Sequence, residues 1–549
     1  MYINTHAIQD SDILVVFDYP SISEFENGHI ADGNAKSYVY KHLRELGINC
    51  SRVSWHSVLS YPLGNSKITD FYRTTKAKIH REDTVHAGGF FFEPSLEKPF
   101  ADLFDTIRFT NPKVIICMSV LALSAFGFGT SIEAWRGSQL KWSTFNMLVT
   151  YSPLALYKSP ERHMPFKRDL ARLRDLSNWD MPKFNIQFEY GFDELIEQLD
   201  WHIDSLATGC KPYAVDLETR NPLPTFIGFA WDKRNALVIP FIKPDGTSYW
   251  SVDQEFAIVK KLKTFLTHPN IQIIGQNFQY DIQYVTTRWG FLPKIYRDTM
   301  VEAHVLFTKG LSLDLAFLSS LYCSWYRYWK QDGKDFHKSF KSADDFKTYA
   351  LYNGYDNCYT FEVYEELDKV HKRMGETLPV SFQREMQNII LKPVIAGIRF
   401  DKALQQRWRR EYEVKIADYK AWLLYMIPQE KVNATGNSFW FDSPTQMSFL
   451  FYKQLGIEPV LDKKTKRPTT NDDALINIGK REPILRLVCD VLRTYRSVMQ
   501  FYNLYLAAHV SPDGRARTTY MLPGTDTFRL ASKQDAFDQG FNLQNLSKG

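Results

Sequence analysis

The sequence predicts an α/β chain whose last third is mainly helical, and three observations carry that expectation. Short apolar runs alternate with helical stretches over the first 180 residues, the pattern of a parallel sheet covered on both faces. A second set of apolar runs, from Tyr213 to Gly275, begins with three strands joined by short polar connections of hairpin type. From Ser381 onward, long amphipathic periods replace strands. At 549 residues the chain exceeds what one core supports, and the boundaries expected are 1–180, 181–375 and 376–549.

The bulk numbers exclude more than they select. Hydrophobic residues at 44% and charged residues at 23% are those of a globular protein that is not disordered, while aromatics are high at 15%. A net charge of +5 and a pI of about 8.6 permit a polyanionic partner without demanding one. The cysteines at 50, 117, 210, 323, 358 and 489 have no C-x-x-C and no pairing rhythm, which argues against a zinc module or a disulfide framework. No apolar run approaches the roughly 18 residues of a membrane span, and Met1 to Ser11 lack the order of a signal peptide. A cytoplasmic location, with no membrane partner, is the expectation.

In the first part, Asp12 to Phe17 reads as a buried strand, followed by a loop with Pro20 and Gly28 and a helix from Asn34 to Leu46 closed by Gly47. Pro112 to Cys117 is a second buried strand with an alanine- and leucine-rich helix behind it. Phe145 to Tyr151 is a third, running into Ser152-Pro153. Ligands of such a sheet sit beyond the carboxyl ends of its strands. Ile13 to Pro20, Pro112 to Ser119, Arg136-Gly137 and Thr150-Tyr151-Ser152-Pro153 together resemble the uracil-DNA glycosylase superfamily. The chain departs from that family in having Phe17-Asp18-Tyr19-Pro20 where a Gly-rich loop carries an acid, and Ser152 where a His precedes the proline. Base excision needs an anion stabilised on the departing base and a positioned water, so this part is expected to be glycosylase-like and inactive. Ser177 to Phe184, without periodicity, is the expected linker.

The middle part is organised on Tyr213-Ala214-Val215-Asp216-Leu217-Glu218-Thr219. Strand side chains alternate, so Asp216 and Glu218 face one side, about 7 Å apart. Hard divalent cations take carboxylate oxygens, and two such ions about 4 Å apart clamp the attacking and leaving oxygens of a phosphodiester. The strands Phe226 to Trp231 and Ala236 to Pro240 follow, then a helix over about 253–266 and the strand Gln272 to Gly275. Asp281, opening the next helix, is placed to reach the carboxyl edge of the first strand. Tyr352 and Asp356 lie four apart in a helical stretch from Ala343 to Leu367 and share a face.

Asp216 and Glu218, Asn277-x-x-Tyr280-Asp281 and Tyr352-x-x-x-Asp356, in that order, resemble the DEDDy 3′-5′ exonucleases, and more narrowly the proofreading domain of family A DNA polymerases. Arg297-Asp298-Thr299-Met300 and Leu311-Ser312-Leu313-Asp314-Leu315 look like the same family. The resemblance implies a ribonuclease H-like fold with a mixed sheet and a site for two Mg²⁺ or Mn²⁺ held by Asp216, Glu218, Asp281 and Asp356. It further implies that Asp216 bridges the ions and that Glu218 and Tyr352 orient the attacking water. Asn277 would touch the single-stranded 3′ end. His304, in an apolar helix, reads as a core histidine. Trp325, Tyr326, Tyr328 and Trp329, followed by Lys330, Lys334 and Lys338, suit base stacking or plain packing equally.

In the last part, a helix runs from Ser381 to about Ala396, another from Lys402 to Met426, and a third from Pro483 to His509; Ser443-Pro444-Thr445-Gln446 marks a helix start. Lys463, Lys464, Lys466 and Arg467 form a basic tip suited either to a solvated loop or to a clamp on a duplex backbone. The resemblance to family A DNA polymerases extends through this region, a mainly helical thumb. Thr525-Asp526-Thr527-Phe528-Arg529-Leu530-Ala531-Ser532 and Asn542-Leu543-Gln544-Asn545 look like T-x-T-G-R-L-S-S and N-L-Q-N, with Phe528 in place of the usual Gly. That likeness implies primer-template contacts by Arg529, Gln544 and Asn545. It also implies that the palm carboxylates and fingers would come after Gly549, so that polymerisation needs a missing carboxyl-terminal part or a second chain. A replicative polymerase of bacteriophage origin, in the host cytoplasm, is the leading expectation. The alternatives are a free-standing exonuclease on DNA or RNA and a non-catalytic DNA-binding subunit of a split polymerase.

Overall fold

The computed structural model describes residues 5–30, 33–64, 66–73, 85–87, 90–176, 179–307, 310–331, 340, 342–375, 378–427, 441 and 443–545. Two compact units are present: Met1–Asn388 with Thr525–Phe528, and Ile389–Gly524 with Arg529–Gly549.

The first sheet of the larger unit has the strand order Thr5–His6, Val53–Ser57, Ile13–Phe17, Val114–Cys117, Phe145–Val149, Gln139–Trp142. Its four inner strands are parallel, and an antiparallel strand closes each edge. Ile13–Phe17 and Val114–Cys117 are buried along their whole length, as near-continuous apolar runs in a two-faced sheet must be. The Asn34–Glu45 helix stops where expected, with Gly47 at φ +79°.

The second sheet runs Asn185–Gln187, Asn235–Pro240, Leu223–Ala230, Lys211–Arg220, Ile271–Gly275, Ile295–Asp298. The three hairpin strands are antiparallel, and Ile271–Gly275 joins Lys211–Arg220 in parallel, so the sheet is mixed. Across it lies the helix Ala343–Met374, longer than the sequence suggested. A reciprocal Ser342–Asp345 capping box starts it and Gly375 at φ +80° ends it. Two glycines let it settle on the sheet. A Cβ on Gly354 would collide with Ile186, and one on Gly228 would collide with Asn353.

One hydrophobic cluster joins the first sheet to helices and the 323–329 segment of the second part. Leu14, Val16, Leu121, Trp135 and Leu140 of the first part pack in a single cluster with Trp325, Tyr326, Tyr328, Trp329, Tyr359 and Val363 of the second. The boundary expected near residue 180 therefore runs through this shared cluster, while the strands of the second sheet pack in separate clusters around Phe226 and Val238 and around Ala214 and Ile274. Within this cluster Trp325, Tyr326, Tyr328 and Trp329 are buried, which is the packing alternative of the two left open. His304 is also fully buried.

In the smaller unit, Lys402–Met426 and the Ser443-capped start at Pro444–Ser448 lie where expected. The long helix at 483–509 does not run unbroken. A 3₁₀ turn at Pro483–Leu485 precedes the helix Arg486–Phe501, which then widens into π-type turns over Tyr502–Leu506. Hydrophobic period alone does not register such a change of pitch. Phe528, which groups with the larger unit, has φ +57°, a left-handed backbone that a Cβ disfavours.

Candidate active site

The strand Lys211–Arg220 buries Tyr213, Val215 and Leu217 on one face and, on the other, leaves Asp216 and Glu218 half-buried beyond the buried Ala214. Its register against Leu223–Ala230 shifts between Glu218 and Thr219, a bulge that ends the regular ladder beside the acids. The helix Ala343–Met374 crosses this face and brings Asp356. One carboxylate oxygen from each of Asp216, Glu218 and Asp356 lies within 4.8 Å of the other two.

Asp281 stands beside that group rather than in it. Its Oδ1 accepts a hydrogen bond from the Leu217 backbone N–H at 2.9 Å, which ties the helix Gln279–Tyr284 to the acid-bearing strand. The Tyr280 hydroxyl meets Thr219 Oγ1 at 3.1 Å and strengthens the same tie. The turn before this helix hangs on Asp298, whose carboxylate accepts from the backbone N–H groups of Asn277, Phe278 and Met300. Burial nevertheless outweighs those bonds and pushes the Asp298 carboxyl up to about 6.

Burial dominates the electrostatics, and crowding of like charge adds to it. Burial first, and then the charge of Asp356, pushes the Asp216 carboxyl up to about 7. Glu218 is raised well above the ordinary carboxylate range by burial and by Asp216 and Asp356, and Asp281 by burial and by Asp216. The Tyr352 hydroxyl is raised by burial and by Asp356, Glu218 and Asp216, so it stays a neutral phenol. A convergent set of buried oxygen donors that repel one another fits a hard divalent cation. A divalent cation held there would supply Lewis acidity. The chain's own residues hold the acids in register and keep Tyr352 protonated as a hydrogen-bond donor.

Four further residues complete the arrangement, and sequence reasoning singled out none of them as part of the site. Asn353 Nδ2 donates to Asp216 Oδ2 at 2.8 Å, fixing the strand acid against the helix. Gly228 is the counterpart of that bond, because any side chain there would collide with Asn353. Trp329 Nε1 donates to Asp356 Oδ1 at 2.5 Å, and Lys330 Nζ donates to Asp356 Oδ2 at 2.5 Å and to the Tyr352 hydroxyl at 2.7 Å. Asn353 had a signal: it neighbours Tyr352 in the helix and lies four residues before Asn357, two amides buried on the sheet side. Nothing local marks Lys330, which arrives from a different segment.

The residues expected to touch DNA have distinct local settings. Asn277 sits at φ +58° in the turn held by Asp298. Lys463, Lys464, Lys466 and Arg467 are all exposed on a tight turn whose geometry is fixed by Asp462 Oδ1, which accepts from Lys464 N, Thr465 N and Thr465 Oγ1. Arg529 is exposed. Gln544 Nε2 already donates to the Leu530 carbonyl at 2.7 Å. The side chain of Asn545, and Lys334 and Lys338 entirely, lie outside the described residues.

Comparison with known proteins gives this geometry a setting. Residues 197–372 match a family model of a 3′-5′ exonuclease. The chain is 21% identical to the DNA polymerase of Bacillus phage SP01 over 95% of its own length and 62% of that protein's. It is 24% identical to DNA polymerase I of Pseudomonas aeruginosa, over 65% of this chain and 38% of that one. For DNA polymerase I of Borreliella burgdorferi the identity is 23%, over 71% and 40%. The chain thus spans less than two thirds of the length of each of these relatives. Among solved structures, the polymerase domain of Pol1 from M. smegmatis, in complex with DNA primer-template and dNTP, aligns at a TM-score of 0.44 and 19% identity, over 66% of this chain and 56% of that one. No helix among the described residues is long and apolar enough to cross a membrane.

Proposed function

We propose that this chain removes nucleotides from the single-stranded 3′ end of DNA, as the proofreading exonuclease of a family A DNA polymerase used in replication. The observation that carries the reading is the meeting of Asp216, Glu218 and Asp356 within 4.8 Å, with Tyr352 one helical turn from Asp356, inside the span matched by the exonuclease family. In this reading Asp216, Glu218, Asp281 and Asp356 hold two Mg²⁺ or Mn²⁺ ions, with Asp281 reaching the second ion through its place beside Leu217. Tyr352 orients the attacking water. Asn277 meets the frayed 3′ end. The exposed basic tip at Lys463, Lys464, Lys466 and Arg467 grips the duplex backbone, and Arg529, Gln544 and Asn545 lie along the primer-template.

The first sheet is glycosylase-like in this reading and does not excise bases. The acid at the end of its central strand, Asp18, is occupied. Its Oδ1 accepts from Ser119 Oγ and Leu121 N and its Oδ2 from Val120 N, so it caps the next helix rather than activating water. Burial raises its pKa despite those bonds. A uracil-containing duplex incubated with the chain should yield no abasic sites.

The decisive experiment supplies end-labelled primer-template, Mg²⁺ and the four deoxynucleotides to wild-type protein and to Asp216→Ala. Shortening by the wild type that Asp216→Ala abolishes supports the reading, whereas equal shortening by both removes it. Equal cleavage of a matching RNA would favour a general exonuclease instead.

A further inference from the structure

We propose that Lys330 is a resident counter-ion of the acidic site, delivered on a strap, residues 323–331, that the first sheet holds in place, and that it thereby sets the site's affinity for divalent cations. The inference rests on the exonuclease reading of that site.

The strap is fixed from outside the exonuclease sheet. At its start, Arg172 Nη2 donates to the carbonyls of Ser320 and Cys323, and Arg172 Nη1 donates to that of Ser324. In its middle, the backbone N–H of Gln139, on the edge strand Gln139–Trp142, donates to the Tyr326 carbonyl at 2.8 Å. The Tyr328 N–H donates to Ser138 Oγ at 3.0 Å, and Trp325 Nε1 donates to the Trp179 carbonyl at 3.1 Å. The Tyr328 ring meets Trp135 edge-on at 5.2 Å. Beneath these contacts Arg136 is buried with Asp169, and its Nη1 donates to Ser320 Oγ at 2.6 Å. Every one of these partners lies in the first 180 residues.

At its far end the strap places two donors on one carboxylate. Trp329 Nε1 takes Asp356 Oδ1 and Lys330 Nζ takes Asp356 Oδ2, so each oxygen of Asp356 has a donor. The ammonium also lies 4.8 Å from the Tyr352 ring centre and donates to its hydroxyl oxygen. Receiving that bond, the Tyr352 oxygen turns its own proton away from Lys330. A positive charge seated among acids partly neutralises them and opposes the arrival of another cation. Asp356 must share itself with, or give up, Lys330 before it ligates an ion.

The test measures Mn²⁺ uptake by the full-length chain from the electron paramagnetic resonance of free Mn²⁺, with no substrate present. Lys330→Met should bind Mn²⁺ about tenfold more tightly, the scale on which partners of ligating groups tune affinity. Lys330→Arg, which keeps the charge, should stay near wild type. Ser138→Ala, which removes one of the contacts on the middle of the strap, should tighten binding to a smaller extent. Structural damage would weaken binding, so a gain in affinity separates positioning from mere support. Unchanged or weaker binding by Lys330→Met, in protein that melts cooperatively, overturns the inference alone. Wild-type protein that takes up no Mn²⁺, or Asp216→Ala that takes up as much as wild type, overturns the exonuclease reading and this inference with it.

Discussion

Replacing Asp216 by Asn in metal-free protein should make the protein more stable, although it destroys the site. The Asp216 carboxyl is raised from an ordinary 3.8 to about 7 by burial and by Asp356. At about 1.36 kcal/mol per pH unit, ionising it in the folded protein costs about 4 kcal/mol. Water reaching the half-buried carboxylate screens part of this, leaving about 1–3 kcal/mol. The folded pKa lies above the unfolded one, so folding binds the proton; that advantage is complete below about pH 4 and is lost as pH rises through about 7. Asn keeps the shape and the Asn353 contact without the charge. In calorimetric melts with a chelator present, Asp216→Asn should therefore melt a few degrees above wild type at pH 8, at about 1–2 °C per kcal/mol for a unit this large. The gap should shrink toward pH 5, where wild-type Asp216 is protonated. Saturating Mn²⁺ should reverse the order at pH 8, because only the wild type gains the binding energy, about 2.7 kcal/mol at a hundredfold excess over Kd. An Asp216→Asn protein that melts at or below wild type in chelator at pH 8 would refute the claim that repelling charge strains the empty site.

Tyr352→Phe should lower kcat for 3′-end removal about 100-fold, the weight of a group that positions a proton in the transition state, while Mn²⁺ affinity measured by titration stays within about twofold. Gly228→Ala should destabilise the larger unit by about 1–3 kcal/mol in denaturant melts and slow cleavage in parallel, because a Cβ there runs into Asn353 Oδ1. Arg136→Met should cost about 3–5 kcal/mol by leaving Asp169 buried without its partner, and Arg136→Met with Asp169→Leu should recover much of it. Neutralising Lys463, Lys464, Lys466 and Arg467 together should weaken duplex binding and flatten its dependence on log salt by about 0.9 for each phosphate that is no longer neutralised, as filter binding across a salt series would read.

The parts of this site that lie along one element were legible in the sequence. Alternation put Asp216 and Glu218 on one face of a strand, and helical period put Tyr352 and Asp356 on one face of a helix. Apolar runs located most inner strands of both sheets to within two or three residues, but they missed Val53–Ser57, a short mixed run of Val, Ser, Trp and His inside the first sheet. What escaped depends on contacts between distant segments. Lys330 and Asp356 are joined by how the 323–331 strap is folded back, and no period in the sequence records that. The same holds for Gly228, an unremarked strand residue whose missing side chain makes room for Asn353. Asp281 follows a third pattern: its helix was expected, but its hydrogen bond to Leu217 N–H, which sets it beside the close trio, depends on the turn that Asp298 holds.

The cluster that the first sheet shares with helices and the 323–329 segment of the second part limits how the chain can be divided. A cut at residue 180, attractive from the sequence, would strip the covering from Trp325, Tyr326 and Tyr328 and leave the carbonyls of Ser320, Cys323 and Ser324 without Arg172. The other fragment would keep Gln139–Trp142 as a bare sheet edge. Exposed aromatic surface on one piece and an open strand on the other are the two commonest invitations to aggregation. Expression of the second sheet for biochemistry should therefore retain the first 180 residues as part of its solubility.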